Sequence, residues 1–470
     1  MSEMVVLLKH EWALITMLVV LLILKIRTTD ISNSAISALM TFFLGVNFIL
    51  GWFFNSEGSL FDSMFISNNL IVFQKNILNL GILIIHLQSF DWLQKHKHLP
   101  EFYMLFLSSF LGMFLMLSSG NFLMFYLALE LSTIPLAALC NFDLEKKASG
   151  EAAMKMILSS AFASGILLFG ISLLYGTTGT FNFMEMSSLI KGTSLQILAF
   201  IFVFAGFAFK LSAVPFHFWT ADVYEGSPVA VTSYLSVISK GAVVFVFSGI
   251  LYSVFSSMGD IWYYVLVITA VLTMTIGNLF ALRQNNMKRF LAFSSIAQVA
   301  YILIGISGSS EQGMSSTVYF VIIYMFSNLG AFAVISIISA RTGRESIHDL
   351  NGLYKTNKTL SWLLAISLFS LAGIPPTAGF FGKLFLLSAG AAKSNWPLII
   401  FAALNMVVSL YYYLRVIRAV FMESNENVLP QQALGNSVRT AMLICLAGII
   451  VIGFAGGLYE YIYSLSSGLR

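Results

Sequence analysis

Charge is what this 470-residue chain has least of. Only 10% of its residues are Asp, Glu, Lys or Arg, against roughly 25% in soluble domains. Hydrophobic residues make up 58%, and the mean hydropathy is +0.87. That balance excludes an ordinary water-soluble enzyme and a disordered binder. Cysteine is nearly missing: Cys140 and Cys445 each lie in or beside an apolar block with no CxxC neighbour. No iron–sulfur cluster, zinc site or disulfide framework is therefore expected. Neither a GxGxxG turn after a strand nor a GxxxxGK[ST] loop occurs, so the chain offers no site for ATP or a nicotinamide. No cofactor and no metal are expected, and the energy for any transport must come from another subunit or an ion gradient. The formal net charge of +4 is small and sums over two membrane faces, so it gives no reason to expect nucleic acid as a partner. The N-terminal MSEMVVLLKHEW carries Glu3 and Glu11 around Lys9 and no small-residue cleavage site. No removable signal peptide is expected, and the first apolar block stays as a helix.

What is present is apolar sequence in blocks of roughly 20 residues, the length that crosses a hydrocarbon core of about 30 Å. The blocks are continuous and do not alternate, which favours helices over a β-barrel. The expected fold is an all-α polytopic membrane protein with about fourteen transmembrane helices. Their approximate ranges are 11–26, 35–54, 69–88, 102–118, 121–140, 151–175, 194–220, 229–256, 261–281, 287–306, 314–340, 359–390, 394–414 and 437–464. The distribution of Lys and Arg orients them. Sixteen of the 25 fall in the odd-to-even loops, among them Lys25, Arg27, Lys146, Arg283, Arg341 and Arg439. The other face holds Lys9, Lys191, Lys393 and Arg470, and five lysines (75, 155, 210, 240 and 383) lie inside spans. This bias places both termini on the outer side.

Span 7 is broken at AVPFHFW and span 12 at AGIPPTAGFFGK, with Pro215 and Pro375 160 residues apart. The starts of spans 4 and 9 are separated by about the same distance. Two five-helix units follow, 101–258 and 259–421, preceded by three helices in 1–100 and followed by one in 422–470. An odd number of helices per unit inverts one copy relative to the other, and matched interrupted helices point to a transport path. The alternative is that both prolines only bend helices around bulky neighbours.

An ionisable side chain near the bilayer centre costs about 2.5–3.5 kcal/mol on insertion scales and is a functional candidate by default. Of the 21 acidic residues, only Glu130 sits squarely mid-span. Lys210 and Lys240 are equally deep. Lys383 lies past the break in span 12, about 13 Å to the outer side of that span's midpoint at 1.5 Å per residue. One acid and three lysines on separate helices suggest a buried polar chain. A desolvated lysine holds its proton less tightly and a nearby carboxylate restores it, whereas arginine stays protonated. The use of lysine therefore favours proton transfer over a static Glu130–Lys210 bridge between two helices. His217 follows Pro215 seven residues after Lys210, two turns on if the helix continued. It either passes protons or caps freed carbonyls. Ser294, Ser295, Gln298 and Asn328 could hold water in the second unit, or simply join helices. Lys155, one turn after Glu151, is either functional or half of an interfacial i,i+4 pair. Lys75 is expected to snorkel at the outer end of span 3. His86, His96 and His98 have no third ligand in sight.

The run KLSAVPFHFWTADVYEGSPVAVTSYLSVISKGA (210–242) resembles the antiporter-like membrane subunits of respiratory complex I, and DVYEGSP (222–228) resembles their N-type branch. LALELSTIP (127–135), RQNNMKRFLAFSSIAQVAY (283–301) and SLAGIPPTAGFFGKLFLL (370–387) extend the likeness over nearly the whole chain. The resemblance implies that Glu130 and Lys210 are the pair that loads a proton and that Lys240 is the central lysine. It implies that Lys383 serves the outer exit, that Lys155 is the span-6 lysine and that His217 is the histidine after the break. One departure is Gln298, where the family often has histidine; glutamine can order water but cannot take the proton. The implied function is a proton-translocating subunit of a NADH–quinone oxidoreductase, with no redox centre of its own, in a bacterial cytoplasmic membrane. Its partners would be other complex I membrane subunits, the lipid bilayer and protons. A subunit of a multisubunit cation/proton antiporter is the alternative, and a structural spacer with relic lysines is a third reading.

Overall fold

The computed structural model describes residues 2–26, 32–53, 56–308, 310–423 and 429–467. Arg27 and Arg470 of the charge distribution lie outside these residues, as do residue 1 and residues 468–470 at the two termini. The chain is helical almost throughout because each apolar block must close its backbone hydrogen bonds within itself once it leaves water. In order, the principal helices are α1 Lys9–Ile26, α2 Asn33–Leu50, α3 Asn69–Leu93, α4 Leu99–Leu117, α5 Phe122–Cys140 and α6 Lys147–Thr178. They continue with α7 Ser194–Leu211, α8 Phe218–Gly226, α9 Val229–Ser253, α10 Gly259–Arg283, α11 Met287–Ile306 and α12 Ser310–Thr342. The last are α13 Lys358–Ala372, α14 Ala378–Ala391, α15 Trp396–Phe421, α16 Asn436–Phe454 and α17 Gly456–Ser466. A short antiparallel hairpin, β1 Gly58–Leu60 and β2 Phe65–Ser67, links α2 to α3.

Among the described residues, twelve helices are long and apolar enough to cross a membrane. They include every expected span except the first and the twelfth, so the full count of fourteen is not fixed by length and composition. Span 1 is α1, which carries Lys9, Glu11 and Lys25. Span 12 is the pair α13 and α14, of 15 and 14 residues. The last expected span is interrupted too, with α16 ending at Phe454 and α17 beginning at Gly456.

Helices α3, α9, α11 and α12 form the interior, and α12 is buried along its whole apolar window. The outer helices α2, α6, α15 and α16 bury well under half of theirs. Phe42, Phe162, Ile268 and Val407 are among the large apolar side chains that point outward. The packing repeats. In the first unit α4 packs on α5, α5 on α6, and α6 on both α7 and α8. In the second α10 packs on α11, α11 on α12, and α12 on both α13 and α14.

Candidate functional site

The first break follows from local chemistry. Helix α7 ends at Leu211, and Ser212 adopts a left-handed conformation at φ 62°. The groups freed by the break find partners, as they must in a dry interior. The Val214 N–H donates to Thr273 Oγ1 at 2.9 Å, and Trp219 Nε1 donates to the Phe209 carbonyl at 3.1 Å. Because the helix stops, Lys210 and His217 do not share a continuous helical face. His217 instead stands at the start of α8. It is 6% exposed, packs at a tilt against the Phe218 ring and leaves Nδ1 without a partner.

Lys210, in the last turn of α7, donates through Nζ to Thr133 Oγ1 at 2.5 Å. Thr133 is on α5, one turn beyond Glu130. The expected Glu130–Lys210 contact is thus not a direct bridge. Glu130 lies close enough to act on the Lys210 charge through space and sits beside Tyr126, with one carboxylate oxygen buried and unpartnered. A small cavity of about 10 Å³ joins this region to α9, lined by Lys210, Thr133, Ser132 and Ser239. That is the scale of one water molecule.

Lys240 follows directly on Ser239. The preceding residues, Tyr234–Ser239, form a π-helical stretch within α9, a distortion found mostly at functional positions. Lys240 Nζ donates to Ser295 Oγ at 2.8 Å and lies over the Tyr224 ring. Within the π stretch, Ser236 meets the Tyr324 hydroxyl at 3.0 Å and accepts from Asn328 at 3.2 Å.

Ser295 Oγ itself donates to the Ala292 carbonyl at 2.8 Å, and a hydrogen-bonded row across the second unit begins at its chain neighbour Ser294. Ser294, next to Ser295 on α11, pairs with the Tyr413 hydroxyl of α15 at 2.5 Å. Gln298 Nε2 donates to that hydroxyl at 3.1 Å and to the Leu371 carbonyl at 3.0 Å. Lys383 Nζ donates to the same carbonyl at 2.7 Å and to Ala372 at 3.2 Å. These are the last carbonyls of α13, left open by the second break, where Gly373 turns at φ 86°. Lysine is a natural partner for them. Its four methylenes carry the charge back to the break, so the height expected from chain position overstates its distance from the row. Among the described residues none of Lys210, Lys240 and Lys383 forms a direct salt bridge; each donates to a neutral oxygen.

Lys155 lies elsewhere. It is 41% exposed and pairs with Glu151 and Asp222, each at 2.6 Å. Arg289 of α11 bonds Asp222 at 2.6 Å and Glu225 at 2.8 Å. The acids of DVYEGSP thereby tie α8 to α6 and α11. Beside them Lys288 pairs with Glu345 at 3.0 Å, and both line a polar cavity of about 460 Å³ with Glu225, Ser227 and Asp143. The i,i+4 pair of Lys155 therefore exists, within a larger network.

Three elements of this arrangement were not singled out from the residues alone: Thr133, Tyr413, and the Asp222–Arg289–Glu225 clamp. Lys75 needs correction. It does not snorkel: it is 1% exposed and bonds Glu11 of α1 at 2.5 Å. Glu11 is thus a buried acid, whereas Glu130 is half-buried. His86 is held by Thr41 at 2.8 Å and Tyr103 at 3.0 Å. His96 faces Asp143, and His98 faces Glu101.

Residues 119–409 match the family model described as "NADH:quinone oxidoreductase/Mrp antiporter, TM". The chain belongs to this family. It is 46% identical over 422 residues to the NADH-quinone oxidoreductase subunit N of Azobacteroides pseudotrichonymphae genomovar. CFP2, covering 89% of this chain and 88% of that one. Among solved structures, a chain of respiratory complex I from Thermus thermophilus with bound aureothin superposes with a TM-score of 0.80 at 26% identity. The match covers 96% of this chain and 98% of that one. A chain of the Mrp complex from Dietzia sp. DQ12-45-1b gives 0.88 at 21% identity, covering 100% and 98%. The second likeness is one of fold alone, so backbone shape does not separate the two.

Proposed function

We propose that this chain is the proton-translocating N-type membrane subunit of a NADH–quinone oxidoreductase. One observation carries the reading: Lys240, bonded to Ser295, and Lys383, bonded to Leu371, flank a hydrogen-bonded row of Ser294, Tyr413, Gln298 and Leu371, with Ser294 and Ser295 adjacent along α11. Two buried lysines flanking groups that orient protons, with no carboxylate fixing either charge, suit relay better than rigid pairing. The roles follow. Protons enter from the end that carries the polar cavity, load at Lys210 under the field of Glu130, pass to Lys240 and leave near Lys383. Thr133 is the switch contact: Lys210 rests on its hydroxyl and turns toward Glu130 when the neighbouring charge changes. His217 borders the entry, and Lys155 holds α6 on α8 there through Asp222. Gln298 bridges Tyr413 and Leu371; since neither its amide nor the Leu371 carbonyl takes up the proton, water carries it from Tyr413 to Lys383.

In this reading residues 101–258 and 259–421 are the two inverted units, with 1–100 and 422–470 flanking them. The chain sits in a bacterial cytoplasmic membrane with both termini on the outer side and lipid on its apolar faces. Electron transfer occurs in other subunits, and this one binds no cofactor, metal or nucleic acid. The Mrp-like fold keeps a second reading in view, a subunit of a cation/proton antiporter. A native gel of mildly solubilised membranes, stained for NADH dehydrogenase activity, decides between them. Co-migration of the tagged chain with a large active band is expected. A smaller inactive assembly, with sodium-dependent proton flux in the absence of NADH, favours the antiporter.

A further inference from the structure

Outside the row, the three N-terminal helices enclose a second ionisable cluster. Glu11 and Lys75 bond at 2.5 Å, with exposures of 3% and 1%. Lys75 also lies over the rings of Phe65 and Phe114, at 5.0 and 5.7 Å. His10, 2% exposed, bonds Asn47 Oδ1 of α2 through Nδ1 at 2.8 Å. Asn47 in turn donates to Asn79 of α3 at 2.9 Å. An oxygen must receive a hydrogen, so the Asn47 contact assigns the proton to His10 Nδ1 and leaves Nε2 as a lone pair; Asn79 Nδ2, at 3.4 Å, is the longer contact. Both His10 Nε2 and Glu11 Oε2 are buried with no partner.

A static buried bridge is stable when its remaining lone pairs are satisfied. Here two adjacent residues each keep a basic atom unmet. The cluster also sits under a lid. Phe65 belongs to β2, and Leu7, Leu8 and Phe65 form a small core of their own above the pair. The lid is fastened to the turn between α4 and α5: the Ile66 N–H donates to the Ser118 carbonyl at 2.8 Å, and the Gly120 N–H donates to the Met64 carbonyl at 2.8 Å. The hairpin therefore connects this cluster to the helix that carries Glu130. At the rim, Lys9 Nζ donates to the Phe53 carbonyl and Glu57 accepts from Asn69. The ionisable groups facing the pair are Lys9 and His10 of α1. α2, α4 and the hairpin present Asn47, Phe114 and Phe65.

We propose that Glu11, Lys75 and His10 form a second proton-binding site beneath the β1–β2 lid, separate from the lysine row. It rests on the reading of the chain as a proton carrier. At rest Glu11 is anionic, Lys75 cationic and His10 neutral. Uptake of one proton, at His10 Nε2 or Glu11 Oε2, leaves the cluster with one positive charge; its release restores the resting state with no other bond changed.

The test is an infrared pH titration of the intact complex in its membrane. Expected is a titrating carboxylic-acid band lost in Glu11→Gln, or a titrating imidazole band lost in His10→Gln. Either band persists in Lys210→Ala, which removes the row's loading lysine. If both variants keep every titrating band of the wild type, the cluster is a fixed bridge and the proposal fails. Should Glu11→Gln not assemble, Glu11→Asp retains a carboxyl. A shifted titrating band, or loss of the imidazole band in its His10→Gln derivative, upholds the site; an unaltered spectrum in both overturns it. Failure of the main reading shows elsewhere, as unchanged pumping in variants of the row.

Discussion

At the residue scale, each lysine of the row is held by one or two neutral oxygens. Such a bond keeps the ammonium in place without locking its charge. Thr133→Val removes the only hydrogen-bond partner that Lys210 has within the described residues. A buried donor left unmet costs about 1–3 kcal/mol. The expected result is a lower thermal midpoint for the purified complex and a severalfold loss of NADH-driven proton pumping, whereas Thr133→Ser restores both. Tyr413 tests the bridge between the halves. Tyr413→Phe keeps the ring and removes the hydroxyl that Ser294 and Gln298 share. Assembly should survive while pumping falls severalfold, measured as acidification of inverted membrane vesicles. Equal pumping in Tyr413→Phe would show that protons do not pass through this hydroxyl.

At the element scale, the two breaks are built differently around the same need. In the first, Thr273 and Trp219 satisfy the freed backbone, and the lysine stands before the break. In the second, Lys383 stands after it and caps α13 itself. The close fit of α14 against α13 depends on Gly379: a Cβ there would run into the Ser370 carbonyl. Overpacking against backbone costs about 1–3 kcal/mol. Gly379→Ala should therefore reduce the amount of assembled complex on a native gel. Gly249→Ala, where a Cβ meets nothing, should leave it unchanged. Both breaks were legible in the sequence because proline and glycine interrupt an otherwise apolar helix. The π-helical stretch before Lys240 was not, since YLSVIS reads as ordinary helix.

At the scale of the whole molecule, the helical bundle was legible because apolar blocks of membrane length leave few other solutions. The deep charges stood out for the same reason. The Glu11–Lys75 pair did not, because position along a helix measures depth and not enclosure. Both residues sit near helix ends, where water is the usual neighbour, and only the tertiary placement of the hairpin removes it. Tyr413 and Thr133 were hidden in another way: a tyrosine or threonine in an apolar helix looks like packing until its hydroxyl is seen between two polar groups. Orientation rests on charge bias alone and has a direct check. Lys146 and Lys191 are both exposed, and both native cysteines are buried. In intact cells a membrane-impermeant thiol reagent should label Lys191→Cys and spare Lys146→Cys. Reversed labelling would invert the molecule and the direction of the path.

Passage of protons by way of Lys240 is the step on which the proposed function depends. It is tested most directly by the ratio of protons moved to NADH oxidised, in inverted vesicles carrying the fully assembled complex with Lys240→Ala. The expected ratio is clearly below the wild-type value, with the complex present at normal levels. A wild-type ratio in that variant would contradict it.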